Sequence, residues 1–171
     1  MTITNVEIKA RCANPEAVRR FLKERDAKFE GTDHQIDTYF RISKGRLKLR
    51  QGNIENSLIF YDRKEARGPK TSEILLARTL HDPGMREILA KVLEETVTVD
   101  KHREIYFIDN VKFHIDEVKG LGNFVEIEAI DRTGELGIEN ISDQCREFMR
   151  LLKIEEKDCI DKSYSDMLLR Q

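Results

Sequence analysis

The sequence lacks the features that mark several specialised classes of protein. No run of about 18 apolar residues occurs in its 171 residues and the N-terminus has no apolar signal region, so we expect neither a membrane span nor export. The three cysteines, Cys12, Cys145 and Cys159, are too far apart to suggest a zinc site or a disulfide framework. With a net charge of −2, the chain is not expected to bind nucleic acid through an overall positive field. These absences favour a cytoplasmic protein without membrane or nucleic-acid partners.

Charge is what the sequence has in abundance. Charged residues make up 36% of the chain, against about a quarter in typical domains. Many of them alternate with apolar residues at the period of two that is typical of β-strands. The length predicts a single domain over residues 1–171 with a substantial core, and it leaves a homodimer open as an arrangement.

Turn-forming residues and apolar spacing predict an α+β fold with about eight antiparallel strands. Two helices are marked by a capping residue followed by proline, at Asn14-Pro15 and Asp82-Pro83. A third is indicated by apolar residues at helical spacing over Ile138–Leu152. The strands are expected at Thr2–Cys12, Gln35–Ile42, Arg46–Gln51, Leu58–Arg63, Thr71–Thr79, Thr96–Ile108, Val111–Val118 and Asn123–Ile130.

One face of the predicted strands is polar. Glu126 and Glu128 share one face of the last strand while Val125 and Ile127 share the other, and the neighbouring carboxylates form a candidate cation site. The residues on the polar faces are Glu7, Lys9, Lys48, Arg50, Arg63, Arg103, Asp116, Glu126 and Glu128. Either an open sheet holds this face in water, or a barrel encloses it with amphipathic helices outside. Because acids dominate the Glu126 strand and bases the Lys48 strand, the sorting of charge favours the barrel.

A polar barrel interior requires a ligand, because charges buried without partners cost many kcal/mol. A polyphosphate with a divalent metal ion would satisfy both signs of charge. Arginine forks match phosphate oxygens, lysine supplies positive charge, and carboxylates bind Mg²⁺ or Mn²⁺. The pattern therefore predicts an interior suited to a polyphosphate and a divalent metal ion.

The same segments, taken in order, resemble the CYTH family, also called the triphosphate tunnel metalloenzymes. The first strand, Asn5-Val6-Glu7-Ile8-Lys9, is similar to the family signature Glu-x-Glu-x-Lys, with Asn5 in place of the first glutamate. The resemblance continues through Gln35–Phe40, Leu47–Arg50, the Arg103 strand, Asp116–Gly122, Phe124–Glu128 and Lys162–Asp166. It covers nearly the whole chain and implies eight antiparallel strands closed into a barrel, the triphosphate tunnel.

The resemblance also implies roles for individual residues. Lys9 and Tyr39 look like catalytic residues, and Tyr39 is similar to a family tyrosine that helps to position the nucleophile. The implied phosphate-binding residues are Lys9, Lys48, Arg50, Arg63, Arg103 and Lys162. The implied metal ligands are Glu7, Asp116, Glu126 and Glu128. His114 shares a strand face with Asp116 and is a candidate for a supporting contact.

The function that the resemblance implies is a metal-dependent enzyme, using Mg²⁺ or Mn²⁺, that acts on a small triphosphate. The segments look closest to the class IV adenylyl cyclases, which convert ATP to cyclic AMP and pyrophosphate. The alternative is a triphosphatase that hydrolyses thiamine triphosphate or inorganic triphosphate. A third hypothesis is a triphosphate-binding module with little turnover, because the amide of Asn5 cannot supply the charge of the missing carboxylate.

Overall fold

The structure, a computed structural model, describes residues 4–63 and 72–171, except for the side chains of residues 63, 72 and 73. In this part of the chain, one antiparallel sheet of eight strands is the main element. The strands are β1 (Thr4–Arg11), β2 (Lys28–Phe40), β3 (Arg46–Gln51), β4 (Ser57–Arg63), β5 (Ser72–Arg78), β6 (Glu95–Ile108), β7 (Val111–Val118) and β8 (Gly122–Asp131). Their spatial order is β1-β8-β7-β6-β2-β3-β4-β5. The chain therefore builds the sheet outward from the long central pair β2 and β6.

In residues 4–63 and 72–171, four α-helices flank the sheet: α1 (Pro15–Lys23), α2 (Pro83–Val92), α3 (Ile138–Leu151) and the short α4 (Tyr164–Leu168). The two cap-plus-proline signals are confirmed. The Asn14 side chain accepts a hydrogen bond from the amide of Ala17 at 3.1 Å, and Asp82 accepts one from the amide of Gly84 at 2.8 Å. Within the described residues, no helix is long and apolar enough to cross a bilayer.

The predicted strands are confirmed, with one substantial difference in length. β3 and β7 have the predicted ends, whereas β2 begins at Lys28 instead of Gln35. The early part of β2 has no regular apolar alternation, and it is extended because it pairs with β6 from Lys28 opposite Phe107 onward. Thr2 and Thr71, the predicted first residues of two strands, lie outside the described residues.

The apolar core lies on the convex face of the sheet, under α1 and α3. Val6, Phe113 and Ile127 are almost fully buried there, against Leu22 of α1 and Ile141 of α3. Burial of such side chains contributes roughly 1.5–3 kcal/mol each to folding. Because neighbouring residues of a strand point to opposite faces, this packing turns the intervening polar residues of β1, β7 and β8 to the concave face.

The sheet curls into a half-barrel with its helices outside and its polar face inside. The predicted α+β fold of eight antiparallel strands with outer helices is confirmed, and in the described part of the chain β1 and β5 are the two edge strands of the sheet. The free edge of β1 is met by the segment before α4. Ala10 and Cys159 form an isolated bridge, and the amide of Ile160 donates to the Lys9 carbonyl at 2.8 Å.

Candidate active site

The concave face of the half-barrel lines a cavity of about 710 Å³, and every strand contributes to its wall. The lysine and arginine residues of the wall are Lys9, Lys48, Arg50, Arg78, Lys101, Arg103 and Lys112. The acidic residues are Glu7, Glu30, Asp37, Glu55, Glu126 and Glu128. The side chains of Lys9, Lys48 and Arg50 are only 11%, 14% and 12% exposed, so the charged face is not an open surface in water.

Asp37 of β2 gathers three cations at the centre of this wall. Its carboxylate accepts two hydrogen bonds from Arg50, both at 2.9 Å, one from Lys48 at 3.1 Å and one from Lys101 at 3.0 Å. Burial alone would raise the pKa of Asp37, but the three cations hold it well below its usual range. Asp37 is therefore ionised and keeps the cations close together without a ligand.

Lys101 is the most deeply buried cation of the group. Burial lowers the pKa of its ammonium to about 7, against the opposing attraction of Asp37 and with the help of the neighbouring Arg50 and Arg103. Lys101 is not among the site residues predicted from the sequence. The period of two along a strand could have identified it, because Lys101 and the predicted site residue Arg103 lie on the same face of β6.

Arg103 is held by carboxylates on two neighbouring strands. Its Nε and Nη2 donate to Asp116 at 2.7 and 2.6 Å, and Nη2 also donates to Glu126 at 2.6 Å. The hydroxyl of Tyr164 donates to Asp116 at 2.7 Å. Asp116, predicted as a metal ligand, is thus buried between Arg103 and Tyr164, orients Arg103 and is not among the residues that line the cavity.

The acidic end of the cavity is formed by β1 and β8, where Glu7 faces Glu128 in the strand register. Burial raises the pKa of Glu128, and the negative charges of Glu7 and Glu126 add to the effect. Asn5 donates from its Nδ2 to Glu128 at 2.7 Å. The Oε1 atom of Glu126 lies 3.6 Å from Lys9 Nζ, and its Oε2 atom lies 2.6 Å from Arg103 Nη2. Within the described residues, no three acidic, histidine or cysteine side chains are grouped closely enough to hold a metal ion by themselves.

His114 of β7 lies beside this acidic end. Burial and the nearby Arg103 lower its pKa to about 4, so the imidazole is neutral at pH 7. Its Nδ1 is 3.2 Å from Glu126, which fixes the neutral ring with its proton on Nδ1. Its buried Nε2 has no hydrogen-bond partner within the described residues and can accept one from a ligand.

The loop between β3 and β4 is fixed against the cavity by a buried carboxylate. Asp33 accepts from the amides of Ile54 and Glu55, each at 2.9 Å. A Cβ at Gly52 would lie 2.6 Å from Asp33 Oδ1, so glycine is required there. The loop places Glu55 between Lys112 at 2.7 Å and Arg50 at 2.9 Å.

The remaining predicted site residues differ in their placement. Tyr39 is buried in the cavity wall, and Lys48 Nζ lies 5.6 Å from the centre of its ring. Burial and the adjacent Asp37 raise the pKa of Tyr39, so its phenol stays protonated. Lys162 is exposed and lies outside the cavity wall as the structure describes it. The side chain of Arg63 lies outside the described residues.

The cavity of the half-barrel joins a cluster of buried cations to an acidic end, a combination of side chains whose chemistry suits a polyanion and a divalent cation. The family model of the CYTH domain matches residues 4–164, so the chain belongs to the CYTH family. The resemblance seen in the sequence is confirmed.

Individual relatives agree with this assignment. A protein of Methanocaldococcus jannaschii, provisionally named an adenylate cyclase, is 28% identical to this chain in an alignment that covers 95% of this chain and 97% of that protein. A Pyrococcus horikoshii structure has a TM-score of 0.81 at 27% identity and covers 95% of this chain and 98% of its own. A Hippeastrum protein, provisionally named an adenylyl cyclase and described as having a dominant triphosphatase activity, has a TM-score of 0.65 at 14% identity; the match covers 98% of this chain and 95% of that one.

Proposed function

We propose that this protein is a metal-dependent enzyme that acts on a small triphosphate, and that its reaction is the conversion of ATP to cyclic AMP and pyrophosphate. The observation that carries the proposal is the convergence of cations from four strands on one cavity. These cations are Lys9, Lys48, Arg50, Lys101, Arg103 and Lys112. The cavity volume of about 710 Å³ is within the range of small-molecule sites.

The acidic end suits a divalent metal ion. Glu7, Glu126 and Glu128 offer the carboxylate oxygens that Mg²⁺ and Mn²⁺ prefer, and the raised pKa of Glu128 marks a place where a positive charge is favourable. Phosphate oxygens would complete the coordination, since Mg²⁺ in nucleotide enzymes is commonly shared between carboxylates and substrate. When bound, the ion supplies neutralisation of phosphate charge and polarises the reacting phosphorus centre.

The side chains of the cavity supply positioning and charge. Phosphoryl and nucleotidyl transfer depend mainly on an in-line arrangement and on stabilising spreading negative charge. Arg50 and Arg103 are held rigidly by buried carboxylates, so they present fixed donors to phosphate oxygens. Lys9 and Tyr39 would position the nucleophile, which in the cyclase reaction is the ribose 3′-hydroxyl attacking the α-phosphorus.

Hydrolysis of a triphosphate is the second candidate, and the activity described for the Hippeastrum protein supports it. The name of the Methanocaldococcus jannaschii protein supports the cyclase. Both reactions use the same phosphate-binding cavity, and they differ in whether a ribose hydroxyl or water attacks. The two can be separated by their products.

The test is to incubate the purified protein with ATP, thiamine triphosphate or inorganic triphosphate in Mg²⁺ or Mn²⁺ and to separate the products by ion-exchange chromatography. Cyclic AMP with equimolar pyrophosphate supports the cyclase, whereas phosphate release without cyclic AMP contradicts it and supports the triphosphatase. Binding without turnover would favour a binding module. Arg50→Met should abolish turnover, and Arg150→Met, an exposed change on α3, is the matched control.

A further inference from the structure

The basic wall of the cavity continues into an apolar wall on β4 and β5. The strand register places Lys48, Ile59 and Leu76 in one row across β3, β4 and β5. In the next row, Tyr61 on β4 lies opposite Ile74 on β5. All of these residues line the same cavity. Two strand spacings, roughly 10 Å, therefore separate the backbone of Lys48 from that of Leu76.

This apolar wall is incompletely covered. Ile59 and Tyr61 are buried, but Ile74 and Leu76 are 47% and 55% exposed although they line the cavity. Ile54 joins them from the loop that Asp33 holds, and it is also exposed. Aliphatic surface beside a group of buried cations favours a ligand that has both an anionic part and an apolar part.

We infer that the apolar wall formed by Ile54, Ile74 and Leu76 binds the organic group of a triphosphate ester, so that the substrate is an organic triphosphate and not inorganic triphosphate. The inference rests on the proposed function, because phosphates held at Lys48 and Arg50 fix where the ester begins. An inorganic triphosphate has no apolar surface and would leave the wall in water. A nucleoside or a thiamine group has apolar faces that can cover it.

The test compares Leu76→Ser with Leu75→Ser. Leu75 is the neighbour on β5, is 62% exposed and is not part of the cavity wall, so it is a matched control for the loss of an exposed leucine. Dissociation constants are measured by calorimetry for ATP, thiamine triphosphate and inorganic triphosphate, and KM and kcat are measured where turnover occurs. Melting temperatures and Ile74→Ser, a second change in the wall, guard against a folding effect.

At least one organic triphosphate should bind the native protein more tightly than inorganic triphosphate. Leu76→Ser should raise the dissociation constant and KM for that ligand roughly tenfold, because one leucine contact is lost, while kcat is maintained. Binding of inorganic triphosphate should change by less than about twofold, or under roughly 0.4 kcal/mol, because this ligand has no apolar group that could contact Leu76. Leu75→Ser should leave all of these values unchanged.

Three results would overturn the inference. Inorganic triphosphate could bind as tightly as both organic ligands, or Leu76→Ser could weaken all three equally. Leu76→Ser could also leave binding unchanged and convert a dimer to a monomer in sedimentation, which would assign the wall to a second copy of the chain. If none of the three ligands binds the native protein, the proposed function fails and this inference fails with it. The three results above leave triphosphate binding in place and overturn this inference alone, so the two failures are distinguishable.

Discussion

The counter-ion role of Asp37 gives the sharpest prediction for stability. Asp37→Asn keeps the size of the side chain but removes the charge that compensates Lys48, Arg50 and Lys101. The new amide also turns N–H donors toward side chains that are themselves donors. Removing one partner of a buried ion pair typically costs about 3–5 kcal/mol. For a chain of this size, that corresponds to a melting temperature lower by roughly 6–20 °C.

The assay is thermal unfolding followed by circular dichroism, with urea unfolding at 25 °C as the second measurement. Asp143→Asn, which removes an exposed ion pair with Arg146, is the control and should change stability by less than about 1 kcal/mol. Inorganic triphosphate without metal should raise the melting temperature of Asp37→Asn more than that of the native protein, because it supplies negative charge to the same cations. Equal melting temperatures for Asp37→Asn and the native protein would refute the reasoning.

Two further predictions concern the acidic end and Lys101. Glu128→Gln should lower metal-dependent turnover at least about 100-fold, since loss of even an indirect contact to a metal typically costs about 10–100-fold. In EDTA the stability of this variant should be unchanged or higher, because burial disfavours the charge of Glu128. Native turnover and native Mn²⁺ dependence in the variant would contradict this role. The pKa of Lys101 is about 7 in the folded state, which is below its value of about 10.4 in the unfolded chain. At a pH between these two values the unfolded chain binds more protons than the folded one, so stability should rise with pH from about 7 to 10. Urea unfolding at pH 7 and 9.5 should show this rise in the native protein relative to Lys101→Met, and an equal pH dependence in both would disprove it.

Strand faces could be predicted from the sequence because they depend on a local period. Alternation in Val125–Glu128 correctly separated the side chains under the helices from those in the cavity. β3 and β7 were placed with their observed ends for the same reason. The early part of β2 could not be found in this way, because its extended form depends on pairing with β6, far along the chain.

The partners within the site were harder to predict than its members. Lys101 and Lys112 share strand faces with residues that were predicted for the site, so a stricter use of the period of two would have found them. That Asp37 binds three cations depends on the side-by-side placement of β2, β3 and β6, which no local pattern encodes. The open edge between β1 and β5 likewise depends on the curvature of the whole sheet.

The contact between β1 and the segment around the start of α4 has a consequence for biosynthesis. Lys9 Nζ lies 4.3 Å from the ring centre of Tyr164, and the Lys9 carbonyl accepts from the amide of Ile160, so residues far apart in the sequence meet here. Domains fold as units as they leave the ribosome, and pairings between distant parts of a chain form slowly. The cavity can therefore be completed only after residues 160–164 have emerged, so a nascent chain that stops before residue 160 lacks the support of Lys9 and should not retain a polyanion.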